Sequence, residues 1–266
     1  MGWRYARSLF PFMRHALTLN DLVAVVREKL ATRDDAFLDM LHRGIYGNPK
    51  SPYLALLQHA GIAEQDIASR VKAIGIEPTL QELYDAGIQV TLDEFKGRVP
   101  ISRPGLELPV TTASFDNPLA QGQLETVTGG SRTRGTRVML NLDDFEGVAA
   151  CQMLALQAMG AFDLPQLYWR PAAPAFAALK YVLICSRYGV PVQRWYSQTR
   201  PGPRRPGGVR GSLVHATTWI LTALAGHPTP YPHYAPIDGA ELIVRCLAEQ
   251  TRRGTRLYID TLVSSA

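Results

Sequence analysis

The sequence predicts an α/β protein in which an N-terminal helical segment, residues 1–97, precedes an α/β domain with a mostly parallel sheet, residues 98–266. Two observations predict it. Apolar residues recur at helical spacing through residues 18–60, and from Gly87 onward short β-prone segments take over. Beyond residue 144 those segments alternate with longer apolar helical stretches, the order expected of parallel strands joined by crossover helices. A hydrophobic content of 46% with 19% charged residues excludes wholesale disorder.

In chain order, Leu19, Leu22, Val23, Val26 and Leu30 repeat at helical spacing after Thr18, and Phe37, Met40, Leu41 and Ile45 do so after Asp34 and Asp35. Ser51-Pro52 starts the next helix, with serine as cap and proline in its first turn, and Gly61 ends it. A short helix follows. Thr79-Leu80-Gln81-Glu82 has the form of a capping box, with Gly87 as stop signal. Residues 88–91 and 106–112 alternate as strands do. Strands are also expected on either side of residues 128–136, helices over 144–160, 173–188 and from 212 to Gly226, a strand over 191–196, a helix over 238–252 and a last strand over 257–263.

Length and charge narrow the function classes only partly. A chain of 266 residues fits one large domain or a compact domain with a helical extension. The net charge of +5 favours anionic partners. Cys151, Cys185 and Cys246 are odd in number and widely spaced, which suggests neither a disulfide framework nor a zinc site; Cys151 and Cys185 read as small hydrophobes of a helix core. The N-terminal apolar run Leu9 to Met13 is too short for a signal peptide, and the run from Leu213 to Gly226 is too short for a membrane span. A cytoplasmic protein is expected.

The most informative stretch is Thr128-Gly129-Gly130-Ser131-Arg132-Thr133-Arg134-Gly135-Thr136. Glycines turn backbone N–H groups toward an anion without obstruction, hydroxyls add donors, and guanidinium groups match phosphate oxygens. It is not a Walker A loop, since Gly135 is followed by Thr136-Arg137 rather than Lys-Ser or Lys-Thr. An exposed, solvated hairpin is the competing reading.

Residues 51–62, 87–96, Phe115-Asp116-Asn117-Pro118 and the loop from Thr128 to Val138 together resemble adenylate-forming enzymes, nearest to the phenylacetate-CoA ligase and acyl-protein synthetase branch. Thr128-Gly129-Gly130-Ser131 with Gly135 is similar to the family's T-S-G-[ST]-T-G pattern, with Gly129 in place of serine, Arg132 to Arg134 interrupting the run, and no Pro-Lys ending. The resemblance implies a partial adenylate-forming large domain, ATP as substrate with Mg²⁺ held through its phosphates, a carboxylic acid partner, and a thiol or other acyl acceptor. The family's aromatic-Gly-x-Thr-Glu segment, ribose-binding aspartate and C-terminal lysine have no counterpart in this sequence. An interrupted, catalytically incomplete chain is therefore expected, one that self-associates or takes a second polypeptide. A non-catalytic nucleotide- or polyanion-binding module is the alternative.

Other candidates carry weaker signals. His215, His227 and His233, with Tyr231, match no metal motif, and no metal site or catalytic residue is assigned. Asp143 and Asp144 suit a helix start. Arg200, Arg204, Arg205 and Arg210 lie in a Pro/Gly-rich stretch, 198–211, read as a mobile basic loop; without interleaved aromatics they do not point to nucleic acid. Trp195 and Tyr196 read as core.

Overall fold

A computed structural model describes residues 2–120, 122, 124–127, 136–172, 177–200 and 208–262. The chain divides into two compact units, one of residues 27–121 and one combining the N-terminal residues up to Val26 with the chain from Gly122 on. The position 97/98 falls inside the smaller unit.

Helix α1, Gly2–Arg14, opens the larger unit, and Tyr5, Leu9 and Met13 bury one stripe at four-residue spacing. Helix α2, Leu19–Ala31, starts at Thr18 as expected, because Asp21 accepts from the Thr18 N–H at 2.9 Å while Thr18 Oγ1 accepts from the Asp21 N–H at 3.2 Å.

The smaller unit is mainly helical. Helix α3, Arg33–Met40, widens into a π turn over Leu41–Tyr46, and α4, Pro52–His59, begins where Ser51-Pro52 predicts it, although Ser51 makes no side-chain cap bond. Gly61 turns the chain at a φ of 69°. Helix α5 spans Glu64–Ile74, with Asp66 capping the Ala63 N–H at 2.9 Å. Helix α6 runs Ile76–Leu83, so Thr79 is not its cap: the hydroxyl donates instead to the Gly75 carbonyl one turn back, at 2.7 Å. A wide turn, Tyr84–Ile88, follows and closes at Gly87, whose φ is 86°.

Residues 88–91 form no strand. Thr91 caps a short helix α7, Leu92–Phe95, in a capping box with Glu94, and this local bonding wins over the alternation read in the sequence. An antiparallel hairpin, β1 Ile101–Arg103 with β2 Leu106–Leu108, completes the unit; the strand stops at Leu108 because Thr111 starts a 3₁₀ turn. Arg103 of β1 reaches the buried Glu94 at 2.8 Å. Burial opposes ionisation of Glu94, but the bonds from Arg103 and Thr91 outweigh it and hold the carboxyl at about 2.

In the larger unit β3, Leu124–Val127, pairs antiparallel with β4, Arg137–Leu140. A 3₁₀ turn follows, capped by the side chain of Asn141, which accepts from the Asp143 N–H at 3.4 Å; Asp143 and Asp144 make no side-chain cap bond and lie exposed before the first turn of α8, Phe145–Ala158. Then come β5 Gln166–Trp169, α9 Ala177–Arg187, β6 Val192–Ser197, α10 Gly208–Leu224, β7 His233–Tyr234, α11 Glu241–Arg252 and β8 Tyr258–Thr261. The four strands form a parallel sheet in the order β7-β6-β5-β8. Arg210 and Gly211 thus belong to α10 rather than to a loop.

The sheet has an apolar layer on each face. Tyr168 and Trp195 pack with α1, α8 and α9 residues such as Leu9, Met153 and Leu183, while Leu167, Trp169 and Tyr196 pack with Ile243 of α11. Crossovers therefore run on opposite faces: β5 connects to β6 through α9 on one, and β7 connects to β8 through α11 on the other. Cys185 is buried as expected; Cys151 is exposed, because the inward stripe of α8 runs through Phe145, Ala149, Ala150, Met153 and Leu156.

Candidate functional site

The carboxyl ends of β5, β6, β7 and β8 meet in a network of side-chain bonds. The Trp169 carbonyl, last of β5, accepts from Thr261 Oγ1 at 3.1 Å and from Gln198 Nε2 at 3.2 Å. Ser197 is fully buried at the end of β6; its Oγ accepts from the Ala172 N–H at 3.0 Å and donates to the Thr199 carbonyl at 2.7 Å. Thr199 Oγ1 in turn donates to the Ala172 carbonyl at 3.3 Å. Indole N–H groups tie the strand exits further, Trp195 to the Arg170 carbonyl at 3.1 Å and Trp169 to the Ala235 carbonyl at 3.0 Å. These bonds fix backbone that has left the sheet ladder and would otherwise be unpaired.

Two cations stand at this rim. Arg170 pairs with Asp260 of β8 and lies 5.4 Å from the centroid of the Tyr181 ring, and Arg200 stacks 4.9 Å from that of Tyr234. In open α/β sheets ligands sit outside the carboxyl ends of the strands, at the switch point where crossovers diverge to opposite faces. The order β7-β6-β5-β8 puts that point between β5 and β8, where Arg170, Asp260 and Thr261 are. There the charge of Arg170 is offset by Asp260, and the hydroxyls of Ser197, Thr199 and Thr261 donate to carbonyls, so these donors are spent within the protein.

Among the predicted loop residues, Thr128, Gly129, Gly130, Ser131, Arg132, Thr133, Arg134 and Gly135 lie outside the described residues, as do Arg204 and Arg205. Thr136 is half-buried just before β4. The flanking strands pair as the sequence implies, with Val127 opposite Arg137, and Glu125 accepts from Arg137 Nε at 3.2 Å.

The structure does not bring the histidines together. His215 is buried on α10 against Trp195, ring centroids 5.1 Å apart, and burial lowers its imidazole to about 4, so it is neutral at pH 7. His227 bonds to the Ser186 carbonyl at 3.1 Å, and His233 is exposed on β7. Trp195 and Tyr196 are core residues, as read. Among the described residues no group of three or more His, Cys, Asp and Glu could hold a metal, and no single helix is long and apolar enough to cross a membrane.

Sequence reasoning did not single out Arg170, Ser197, Thr199, Asp260 or Thr261. The polar run Ser197-Gln198-Thr199-Arg200, directly after a β-prone segment, is the signal that could have found the β6 end; Arg170 escaped because β5 itself was not read. No family model, curated protein or solved structure matches the chain.

Proposed function

We propose that this chain takes part in ATP-dependent activation of a carboxylic acid, in the manner of the phenylacetate-CoA ligase and acyl-protein synthetase branch of adenylate-forming enzymes, with residues 128–136 holding the triphosphate. The carrying observation is the antiparallel pairing of β3 with β4, which sets the two ends of this glycine-, hydroxyl- and arginine-rich stretch opposite each other. Arg200, stacked on Tyr234 at the rim of the parallel sheet, adds a cation that suits an anionic substrate.

In such a reaction a carboxylate oxygen attacks the α-phosphorus of ATP, the bond from that phosphorus to the bridging oxygen breaks, and pyrophosphate leaves with the electron pair. Both substrates are anions, so the part of this chain is to position them and offset their charge; no proton moves at this step. Arg132 and Arg134 are assigned to the β- and γ-phosphates, with Gly129 and Gly130 allowing close backbone approach. Mg²⁺ enters on the phosphates themselves. A thiol or other nucleophile then attacks the acyl carbon, the bond from that carbon to the phosphate oxygen breaks, AMP leaves with the electron pair, and the nucleophile's proton passes to solvent.

Calorimetric titration with Mg-ATP tests the reading. Saturable binding is expected, weakened at least tenfold by Gly130→Val and by the double change Arg132→Ala with Arg134→Ala; no binding, or variants that bind as the parent does while folded, would overturn it. The net charge of +5 also suits a non-catalytic polyanion-binding module. Titration with inorganic polyphosphate separates the two, since only a polyanion-binding module should bind it as tightly as Mg-ATP.

A further inference from the structure

In the larger unit α1 and α10 pack together, with Tyr5 of one bonded to Thr218 of the other at 2.8 Å, and both leave apolar side chains in solvent. Helix α10 exposes Val209, Leu213, Ile220 and Leu224, of which Leu213 is 61% and Leu224 69% exposed. These positions recur at steps of four and seven residues and so form one stripe along the helix. Trp219 is exposed beside the stripe, and Trp3 of α1, 76% exposed, lines one groove with Val209 and Leu213. A continuous patch of this kind, unlike singly scattered apolar residues, marks a binding face.

Charge says what covers it. Neither helix contains an Asp or Glu, while α1 carries Arg4, Arg7 and Arg14 and α10 carries Arg210. Helix α11, on the other face of the sheet, mixes both signs instead, pairing Glu241 with Arg245 and Glu249 with Arg253 just beyond its end. On α1 the stripe opposite the buried Tyr5, Leu9 and Met13 reads Trp3, Arg7, Phe10, Arg14, aromatic and cation by turns, with Arg14 lying 5.6 Å from the centroid of the Phe10 ring. A second copy of this chain is a poor occupant, since apposing the face to itself about a twofold axis sets arginine against arginine. An anionic bilayer suits both features: aliphatic side chains enter the acyl layer, tryptophans sit at headgroup level, and arginines meet the lipid phosphates.

We infer that the face made by α1 and α10 docks on a membrane surface containing anionic phospholipid, with Val209, Leu213, Ile220 and Leu224 entering the acyl layer and Arg7 and Arg14 on the phosphates. The two helices lie on the bilayer and do not cross it, neither being long and apolar enough. Docking does not rest on the reaction proposed above and needs no nucleotide.

The experiment is flotation of the full chain, without nucleotide, with vesicles of phosphatidylcholine alone or mixed with phosphatidylglycerol. Binding to the mixed vesicles is expected to be at least about tenfold tighter and to weaken with added salt. Arg7→Glu, and separately Leu213→Glu with Ile220→Glu, all at exposed positions, should each weaken it at least about tenfold while thermal unfolding stays cooperative. Brominated phospholipid should quench the exposed Trp3 and Trp219 and spare the buried Trp169 and Trp195, so Trp3→Phe with Trp219→Phe should remove the quenching. Equal binding to both vesicles, no binding, glutamate variants that bind as the parent does, or quenching that survives the tryptophan changes would each overturn the inference. Self-association abolished by Leu213→Glu, without vesicle binding, would overturn it in favour of a second copy. Should the glutamate variants fail to fold, the quenching decides alone.

Discussion

In the larger unit Trp195, Tyr168 and Leu183 are almost closed to solvent between sheet and helices, and the polar chemistry collects outside the core, at the strand ends. In the helical unit Phe37, Tyr53 and Leu83 are only partly buried around a cavity of about 550 Å³, and the strongest polar contact, Glu94 with Arg103, lies in a cap and hairpin. The difference follows from what each element can cover. A parallel sheet with helices on both faces leaves its residues close-packed, so ligands are met at its edge. Short helices joined by wide turns do not interdigitate fully and leave space inside.

The contrast can be broken most severely at the ion pair. Arg103→Ala should destabilise the helical unit by about 3 kcal/mol, because it leaves the buried Glu94 carboxylate without its partner, and Arg103→Lys should recover only part of that. Chemical unfolding followed by hydrogen exchange within residues 27–121 measures it; an effect under about 1 kcal/mol would mean the pair is dispensable.

Acid should then separate the units in a fixed order. His215 is lowered from 6.5 to about 4, so its neutral form stabilises the larger unit fully above pH 6.5, and the benefit is lost as pH falls toward 4. Glu94 is lowered from 4.5 to about 2, so its contribution is intact above pH 4.5 and is lost only below it. Amide protection should therefore fall first in the larger unit, by up to about 3 kcal/mol, and His215→Phe should remove most of that slope. Simultaneous loss in both units between pH 6.5 and 4.5 would contradict the assignment.

The smallest effect sharpens the packing comparison. Val182→Phe, in the closed core of α9, should cost about 1–3 kcal/mol through overpacking, whereas Leu83→Phe, at a partly buried position on the cavity wall, should cost less than about 1 kcal/mol. Equal costs would show that the two cores are filled alike.

Sequence patterning located the helices from residue 19 to 59, the β3 and β4 strands, and, from α8 to β8, the helices with β6 and β8 but neither β5 nor β7. It failed where local bonding or burial overrode pattern. Thr79 carries a capping-box signature yet bonds backward inside α6, while Thr91 and Glu94 form a true capping box in a stretch that alternates like a strand. Strand β5 was missed because Gln166-Leu167-Tyr168-Trp169 is buried throughout and shows no alternation to read. Of the candidate site, only the loop composition and Arg200 were legible. Arg170, Asp260 and Thr261 meet through the order β7-β6-β5-β8, which brings β8 beside β5 across 90 residues of chain between Arg170 and Asp260.

The central claim is that the stretch between β3 and β4 holds the triphosphate of ATP. Hydrogen-exchange mapping of the full chain with and without Mg-ATP tests it most directly. Mg-ATP should slow exchange in the β3 and β4 strands, residues 124–127 and 137–140, leaving 41–46 and 84–89 of the helical unit unchanged. Protection of 41–46 by Mg-ATP, or no protection of 124–127 and 137–140, would contradict the account.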